Sequence, residues 1–200
     1  VFLTYHIINE DIIMMDQKKI QELISRSQQE DAAAFSLLVS TFQPLVFRLA
    51  FRLLCDEDEA KDMVQETFVK VWLALGKYNG ECRFSTWIYK ITCNTCYDRL
   101  RSLYHSPLDN EADYSVSVNI SSDDNVELAV VNKQLRELIL RYTDELSPRQ
   151  RLIFTLRDIE ELDVPEVQTI TGLSAGIIKT TLYLARKNIR NKMNQIDAGL

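Results

Sequence analysis

A polar and acidic segment near the middle of the chain separates two stretches with helical periodicity. It reads SPLDNEADYSVSVNISSDDN, begins at Ser106, and is rich in Ser, Asn and Asp. Pro107 opens the segment, and no helical or sustained strand period runs through it. Its 20 residues could extend over at most ~70 Å. The segment predicts a flexible linker between two small domains, although a solvated acidic loop without a further role fits the same composition.

The composition on either side of this segment favours helices. The chain has 5 glycines and 4 prolines among 200 residues, too few helix breakers for an ordinary all-β protein. Hydrophobic residues make up 46% of the chain, enough to bury the cores of one or two small domains. The predicted fold is all-α: two small helical domains, at residues 16–105 and 127–200, are joined by the flexible acidic linker 106–126 and follow an N-terminal extension at 1–15.

Start and stop signals divide the first domain into helices. Asp31 is a candidate N-cap for a long apolar stretch, in which Pro44 marks either a break or the first turn of a second helix. Acidic residues, which are favourable at a helix N-terminus, predict that the next helix begins near residue 59 and runs to about residue 75. A further helix is expected to begin near Ser85.

The chain shows no secretory leader and no apolar run near the ~18 residues that a membrane span needs. Its 4 cysteines therefore fit a reducing compartment. We expect a cytoplasmic protein without stable membrane insertion.

The net charge of −6 by itself argues against a nucleic-acid partner, but its distribution does not. Residues 106–130 hold six acids and no base, so the net charge of this segment alone equals that of the whole chain. Residues 83–101 hold four bases against one acid, and residues 176–192 hold five bases and no acid. Two basic patches therefore flank an acidic connector.

The helix predicted at 59–75 has two useful faces. Its core face follows helical spacing and comprises Val64, Phe68, Val71, Trp72 and Leu75. The opposite face is mixed acidic and apolar and comprises Asp62, Gln65, Glu66, Val69 and Leu73. Such a stripe is either a solvated face, a face buried under the N-terminal helix, or a docking face for a partner helix with basic residues.

A second stripe interleaves aromatic, basic and amide side chains on one face of the following helix. At 100° per residue, its members fall on a single band: Trp87, Lys90, Asn94, Tyr97 and Arg101. Flat rings accept unstacked bases, and Lys and Arg follow phosphates, so the band suits single-stranded nucleic acid. The alternative is that Trp87 and Tyr97 are partly buried core aromatics beside solvated bases.

Cys93 and Cys96 form a C-x-x-C within this helix, but the context does not favour thiol chemistry. About two helical turns precede Cys93, so its thiol lies too far from the helix N-terminus for the favourable charge there to lower the thiol pKa. A structural zinc site needs four ligands, and no second paired spacing occurs in the chain. We expect ordinary small residues here, and no metal or cofactor.

The last third of the chain has the pattern of a helix-turn-helix. Asp163 and Glu166 form an acidic capping box, a short helix runs to Gly172, and Ser174 caps a second helix. The buried stripe of that helix comprises Ile178, Leu182, Ala185 and Ile189, and its outer side comprises Lys179, Thr180, Tyr183, Arg186, Lys187 and Arg190. This arrangement suits a recognition helix in the major groove, with a plain αα-hairpin as the alternative.

In this order, the motifs resemble the extracytoplasmic-function (ECF) group of bacterial sigma factors in the sigma-70 family. The stretches DEAKDMVQETFVKVW and FSTWIYKITCNTCYDRLR look like region 2, and ELSPRQRLIFTLRDIEELDVPEV to GLSAGIIKTTLYLARKNIR look like region 4. The resemblance covers about three quarters of the chain. It implies a non-enzymatic subunit that binds core RNA polymerase through the β′ clamp helices and β flap, directs it to promoter DNA, helps melt that DNA, and is controlled by an anti-sigma factor.

The resemblance also assigns residues. Polymerase docking would fall to Asp62, Gln65, Glu66, Val69 and Leu73. Binding of the −10 element would fall to Arg83, Phe84, Trp87, Tyr89, Lys90, Asn94, Tyr97 and Arg101. Binding of the −35 element would fall to Arg149, Arg151, Lys179, Thr180, Thr181, Tyr183, Arg186, Lys187 and Arg190.

The chain departs from the family at several positions. Cys93 stands where the family tends to carry a base, and Thr181 and Leu184 stand where it often has Arg, which predicts a weaker or differently specified grip on the promoter. Leu184 could instead contact a protein. Two other functions fit parts of the pattern: a helix-turn-helix regulator that never binds polymerase, and a thiol oxidoreductase or zinc protein built on Cys93 and Cys96.

Overall fold

A computed structural model describes residues 17–104, 142–143 and 145–198, and every regular element in those ranges is helical. This confirms the predicted all-α class. The predicted extension 1–15, the linker 106–126 and the start of the second domain lie outside the described residues. The elements are α1 (Gln17–Ser27), α2 (Ala32–Leu54), α3 (Glu57–Ala74), a 3₁₀ turn (Leu75–Lys77), α4 (Phe84–Tyr104), α5 (Pro148–Phe154), a π-helical turn (Thr155–Ile159), α6 (Val164–Thr171) and α7 (Ala175–Ala198).

The chain divides into two compact units. Among the described residues, the first unit holds 17–51 and 57–95, and the second holds 52–56 and the described residues after 95. The division falls within α2 and within α4.

The first unit is built around one apolar core to which all four of its helices contribute. Its buried members are Ile20, Leu23, Ile24, Ala34, Leu38, Phe42, Leu45, Val46, Val64, Phe68, Val71, Leu75, Phe84 and Ile88. Burial of each larger side chain contributes about 1.5–3 kcal/mol, so this core stabilises the unit far more than helix propensity does.

Helix α2 begins where the sequence predicts and continues where it does not. The Asp31 carboxylate accepts hydrogen bonds from the Ala33 and Ala34 N–H groups, each at 3.0 Å, which makes it the N-cap. The Ala34 N–H, followed by the Arg26 side chain, lowers the pKa of Asp31.

Pro44 neither breaks α2 nor begins a new helix; it lies inside a single helix of 23 residues. Its ring is on the exposed side, so water can satisfy the Ser40 carbonyl that loses a helical partner. The neighbours Phe42, Leu45 and Val46 are buried, so core packing stabilises the helix on both sides of the proline.

Among the described residues, α2 alone is long and apolar enough to cross a bilayer, with a mean hydropathy of 1.5. This corrects the prediction that no stretch of the chain reaches membrane-span length. The core helix of a globular domain passes the same test, and α2 places Leu38, Phe42 and Val46 at 1% exposure inside the first unit.

In the second unit, α5 and α6 both pack against α7. Its main buried side chains are Leu146, Leu152, Ile153, Leu156, Val167, Ile170, Ile178, Leu182 and Ala185. The predicted buried stripe of the recognition helix is therefore present, with Ile189 half-buried at its end.

The predicted helix-turn-helix signals of this unit are confirmed by their geometry. Asp163 accepts from the Glu166 N–H at 2.8 Å, and the Glu166 carboxylate accepts from the Asp163 N–H at 2.9 Å. Gly172 ends α6 with a φ of 71°, which only glycine adopts without strain. Its N–H donates to the Gln168 carbonyl at 2.8 Å.

Replacing Asp163 tests how much this cap contributes. We expect Asp163→Ala to lower the free energy of unfolding by about 1 kcal/mol, because the Glu166 N–H loses its acceptor. Asp163→Asn keeps an acceptor oxygen and should cost clearly less. Urea unfolding followed by circular dichroism measures both, and equal losses would show that the hydrogen bond is not the cause.

Candidate protein-docking and nucleic-acid surfaces

The mixed acidic and apolar face of α3 is solvent-exposed. All five predicted members lie on the surface, with Val69 58% and Leu73 76% exposed. Helix α1 does not cover them, which removes the described N-terminal helix as an explanation for the apolar members. Two exposed aliphatic side chains beside carboxylates form a surface that a partner can dehydrate.

Trp72 corrects the predicted core face of α3. Its indole is 36% exposed and contacts the Phe35 ring edge-on, with centroids 4.7 Å apart. Leu37, on α2, is a further exposed apolar residue at 52%. The sequence signal for Leu37 was available, because it falls outside the spacing of the buried residues Ala34, Leu38 and Phe42.

The two acids on the mixed face of α3, Asp62 and Glu66, have different surroundings. Glu66 pairs with Lys70 at 2.7 Å, and the Lys70 ammonium also donates to Thr95 Oγ1 of α4 at 3.2 Å. Asp62 forms no ion pair with any described residue. Asp62 is therefore the more available carboxylate for a basic partner, while Glu66 is tied through Lys70 to the neighbouring helix.

The residues of the predicted stripe on α4 differ in how far they are exposed to solvent. Lys90, Asn94 and Arg101 are exposed, and Trp87 and Tyr97 are half-buried. From Trp87 to Arg101 the band spans about 21 Å at 1.5 Å per residue. Arg83 lies exposed just before the helix, and Tyr89 is half-buried against the core cluster.

Phe84 is a predicted contact residue that the structure buries. It is 5% exposed, and its ring centroid lies 5.2 Å from Phe42, 5.3 Å from Tyr78 and 5.6 Å from Trp87. The expectation that Phe84 faces nucleic acid is corrected, because its ring joins α4 to α2. Trp87 borders this cluster and is half-buried, which confirms the alternative of a partly buried core aromatic. Part of its ring remains accessible, and contact with nucleic acid stays a prediction.

Tyr78 is a site residue that sequence reasoning missed. Its ring centroid lies 5.2 Å from that of Trp87, and its hydroxyl donates to the Cys82 carbonyl at 2.7 Å. Burial raises the pKa of Tyr78, so the hydroxyl stays protonated as a donor. The residue thereby supports both Trp87 and the loop that carries Gly80, whose φ is 79°.

Cys93 and Cys96 point into the protein, at 1% and 0% exposure. Neither thiol belongs to the surface band. The sequence predicted that Cys93, in place of a base, weakens the grip on the promoter. This is corrected, because a side chain at this position is buried and presents no charge to DNA. A base in its place would need a partner inside the protein.

The outer side of α7 is exposed as predicted. Lys179, Thr180, Tyr183, Lys187 and Arg190 lie on the surface, and Thr181 is half-buried. Ile177 and Leu184 form a separate exposed apolar pair at 44% and 43%.

Three arginines of the second unit differ in availability. Arg149 is exposed. Arg151 is buried, and its guanidinium donates to the Thr143 carbonyl at 2.9 Å, which corrects its predicted place near the DNA backbone. Arg186 is 54% exposed and pairs with Asp158, which raises the pKa of Arg186 through their hydrogen bonds.

Two family models match the chain. The model for sigma-70 region 2 matches residues 38–105, and the model for sigma-70 region 4 matches residues 136–189. The first match contains the mixed acidic and apolar face of α3 and the α4 stripe. The second contains α5, α6 and the outer side of α7 apart from Arg190.

Curated relatives match over nearly the whole chain. The ECF RNA polymerase sigma-E factor of Escherichia coli strain K12 is 30% identical over 92% of this chain and 98% of its own length. The RNA polymerase sigma-H factor of Pseudomonas aeruginosa is 29% identical over 88% of this chain and 94% of its own length.

Two solved structures share the fold. CnrH, solved in complex with the cytosolic domain of CnrY, aligns with a TM-score of 0.62 at 20% identity, covering 90% of this chain and 99% of CnrH. The sigma factor RpoE of Bartonella quintana, solved with the anti-sigma factor NepR, aligns with a TM-score of 0.53 at 23% identity, covering 79% of this chain and 93% of RpoE.

Phe84 is buried and Asn94 is exposed, so replacing each by alanine should change the stability of the protein to a different extent. We expect Phe84→Ala to lower the free energy of unfolding by about 3–5 kcal/mol, because it leaves a cavity in an aromatic core. Asn94→Ala, on the exposed band of the same helix, should change it by less than about 0.5 kcal/mol. Chemical denaturation of both variants measures the difference, and a small effect of Phe84→Ala would mean that the ring does not belong to the core.

Proposed function

Because the chain belongs to the ECF group of RNA polymerase sigma factors in the sigma-70 family, we propose that it docks on core polymerase through α3 and holds promoter DNA on α4 and α7. The single observation that supports docking most strongly is the exposure of Val69 and Leu73 beside Asp62. A helix-turn-helix regulator that never binds polymerase would have no use for that face.

Docking on the β′ clamp helices suits the chemistry of this face. Exposed aliphatic side chains supply the dehydrated centre of a helix-on-helix contact. Asp62 and Glu66 at its edge favour a basic partner and set the orientation of approach. Gln65 adds a neutral donor and acceptor between them.

The band on α4 is proposed to hold the non-template strand of the −10 element. Half-buried rings are suited to this role, because their packed side fixes the orientation of the side that accepts a base. Trp87 has such support from Tyr78 and the Phe84 cluster. Lys90 and Arg101 can follow phosphates, and Asn94 can pair with a base edge.

The outer side of α7 is proposed to read the −35 element as duplex. The first two turns of a recognition helix meet base edges, which assigns base contacts to Lys179, Thr180 and Tyr183. Lys187, Arg190 and Arg149 are exposed and suited to phosphates. The apolar pair Ile177 and Leu184 lies off this basic side and is a candidate for the β flap.

Regulation and compartment follow from the same family. The CnrH and RpoE structures were each solved with a bound partner, and NepR is named as an anti-sigma factor. We propose that an anti-sigma factor likewise controls this chain, that it works in the cytoplasm with polymerase, and that it has no catalytic activity of its own.

Replacing the two exposed aliphatic residues of the docking face with aspartate tests the proposal. The double variant Val69→Asp, Leu73→Asp should bind core polymerase at least about tenfold more weakly, because it removes the apolar contact and would bury unpaired charge. Met193→Asp is the matched control, since Met193 is also an exposed apolar residue, at 43%. Affinity is measured by fluorescence anisotropy with labelled full-length protein. Unchanged affinity in the double variant, or the same loss in the control, would contradict the assignment.

A role in melting is tested on two promoter templates. Tyr97→Ala should reduce transcription from duplex promoters by at least about fivefold, the lower end expected when one stacked base is lost. Promoters with a pre-opened bubble should recover most of this activity, because the strands are already separated. Tyr97→Phe keeps the ring and should behave like the parent. Equal losses on both templates would contradict a role in melting.

A further inference from the structure

An ion pair joins the recognition helix to the π-helical turn that precedes the helix-turn-helix. Asp158 accepts two hydrogen bonds from Arg186, from Nε at 2.8 Å and from Nη2 at 2.6 Å. Two parallel bonds of this length fix the guanidinium in one orientation, which a single contact to a flexible lysine could not do.

The irregular turn is what carries Asp158. The Glu160 N–H donates to the Thr155 carbonyl at 2.8 Å, five residues back, so the turn holds one residue more than an α-helical turn. Such insertions change the direction of the side chains that follow and occur frequently at functional sites. Here the carboxylate that it carries reaches a residue 28 positions later in the chain.

The pair leaves part of the guanidinium available. Arg186 has five N–H donors, and the two bonds to Asp158 occupy the edge formed by Nε and Nη2. The end formed by Nη1 and the second Nη2 hydrogen remains, on a side chain that is 54% exposed. Two adjacent donors in a fixed plane match the O6 and N7 acceptors of guanine in the major groove.

The carboxylate also changes which acceptor is favoured. Because Asp158 compensates the charge of Arg186, the pair attracts a phosphate less strongly than an isolated arginine would. A guanine edge carries no net charge, so the nearby carboxylate weakens its attraction to Arg186 only a little. The geometry therefore favours a base over the DNA backbone at this position.

We propose that Asp158 is a positioning residue for −35 recognition, which holds Arg186 for a guanine in the major groove and makes its contact specific for sequence. This inference rests on the proposed function of α7 and adds to it a residue outside the recognition helix. It also moves Arg186 from the general set of basic residues to the readers of bases.

A selection experiment tests the assignment. Core polymerase carrying the full-length chain selects from promoter duplexes randomised in the upstream element, and the bound DNA is sequenced. The parent protein should prefer guanine at one position, and Arg186→Ala should lose that preference. Asp158→Asn should weaken the preference there by about fivefold or more, since a bidentate base contact discriminates by about 1–3 kcal/mol. Preferences at the other positions should stay unchanged.

Two further variants separate positioning from charge and from folding. Glu161→Gln removes the same charge from an exposed neighbour and should leave every preference unchanged. Arg186→Lys keeps the charge but cannot form the bidentate pair with Asp158, so its ammonium is not held in one orientation and the guanine preference should weaken as in Asp158→Asn.

The outcomes are distinguishable. A uniform loss at all positions in Asp158→Asn, a guanine preference that survives Arg186→Ala, or an undiminished preference in Arg186→Lys overturns the inference and leaves the proposed function standing. If the parent protein enriches no sequence at all, the proposed reading of the −35 element fails, and the inference fails with it.

Discussion

The aromatic cluster around Phe84 is the contact on which the surfaces of the first unit depend. It joins Phe42 of α2 to Tyr78, which follows α3, and to Trp87 of α4. The proposed docking face lies on α3, and Trp87, Lys90 and Asn94 of the proposed nucleic-acid band lie on the part of α4 that belongs to the first unit. This cluster therefore sets the position of these two surfaces relative to each other. A sigma factor needs that fixed relation, since polymerase and promoter must be held at the same time.

Supporting contacts around the cluster have the same effect. The Gln28 side chain, in the turn after α1, donates to the Leu75 and Tyr78 carbonyls at 3.0 and 2.9 Å. These two hydrogen bonds satisfy carbonyl groups of the short turn that follows α3. Lys70 connects Glu66 of the docking face to Thr95 of α4. Few of these residues would touch polymerase or DNA, yet they orient those that do. The pair of Asp158 and Arg186 follows the same principle in the second unit.

Much of the site was predictable from residue patterns, and the exceptions have a common cause. Periodicity placed Val69 and Leu73 outside and Val71 and Leu75 inside, as the structure has them. It misplaced Trp72, which lies near the edge of a helical face, where the neighbouring helix decides the burial of the ring. The family resemblance misplaced Phe84, whose ring packs against Phe42 of the neighbouring helix. The exposure of Arg151 was also mispredicted, since a basic residue in a sequence carries no sign of the carbonyl that it will meet.

The sequence by itself determined the helical class, the helix starts at Asp31 and Asp163, the family, and the order of its surfaces along the chain. These features depend on spacing, capping and composition, which are local properties. Only the tertiary structure decided that Pro44 lies within one helix, that Cys93 is buried, that Tyr78 supports Trp87, and that Asp158 meets Arg186. Each of these depends on contacts between residues distant in sequence or on the side from which a helix is covered, and such contacts exist only once the helices have packed.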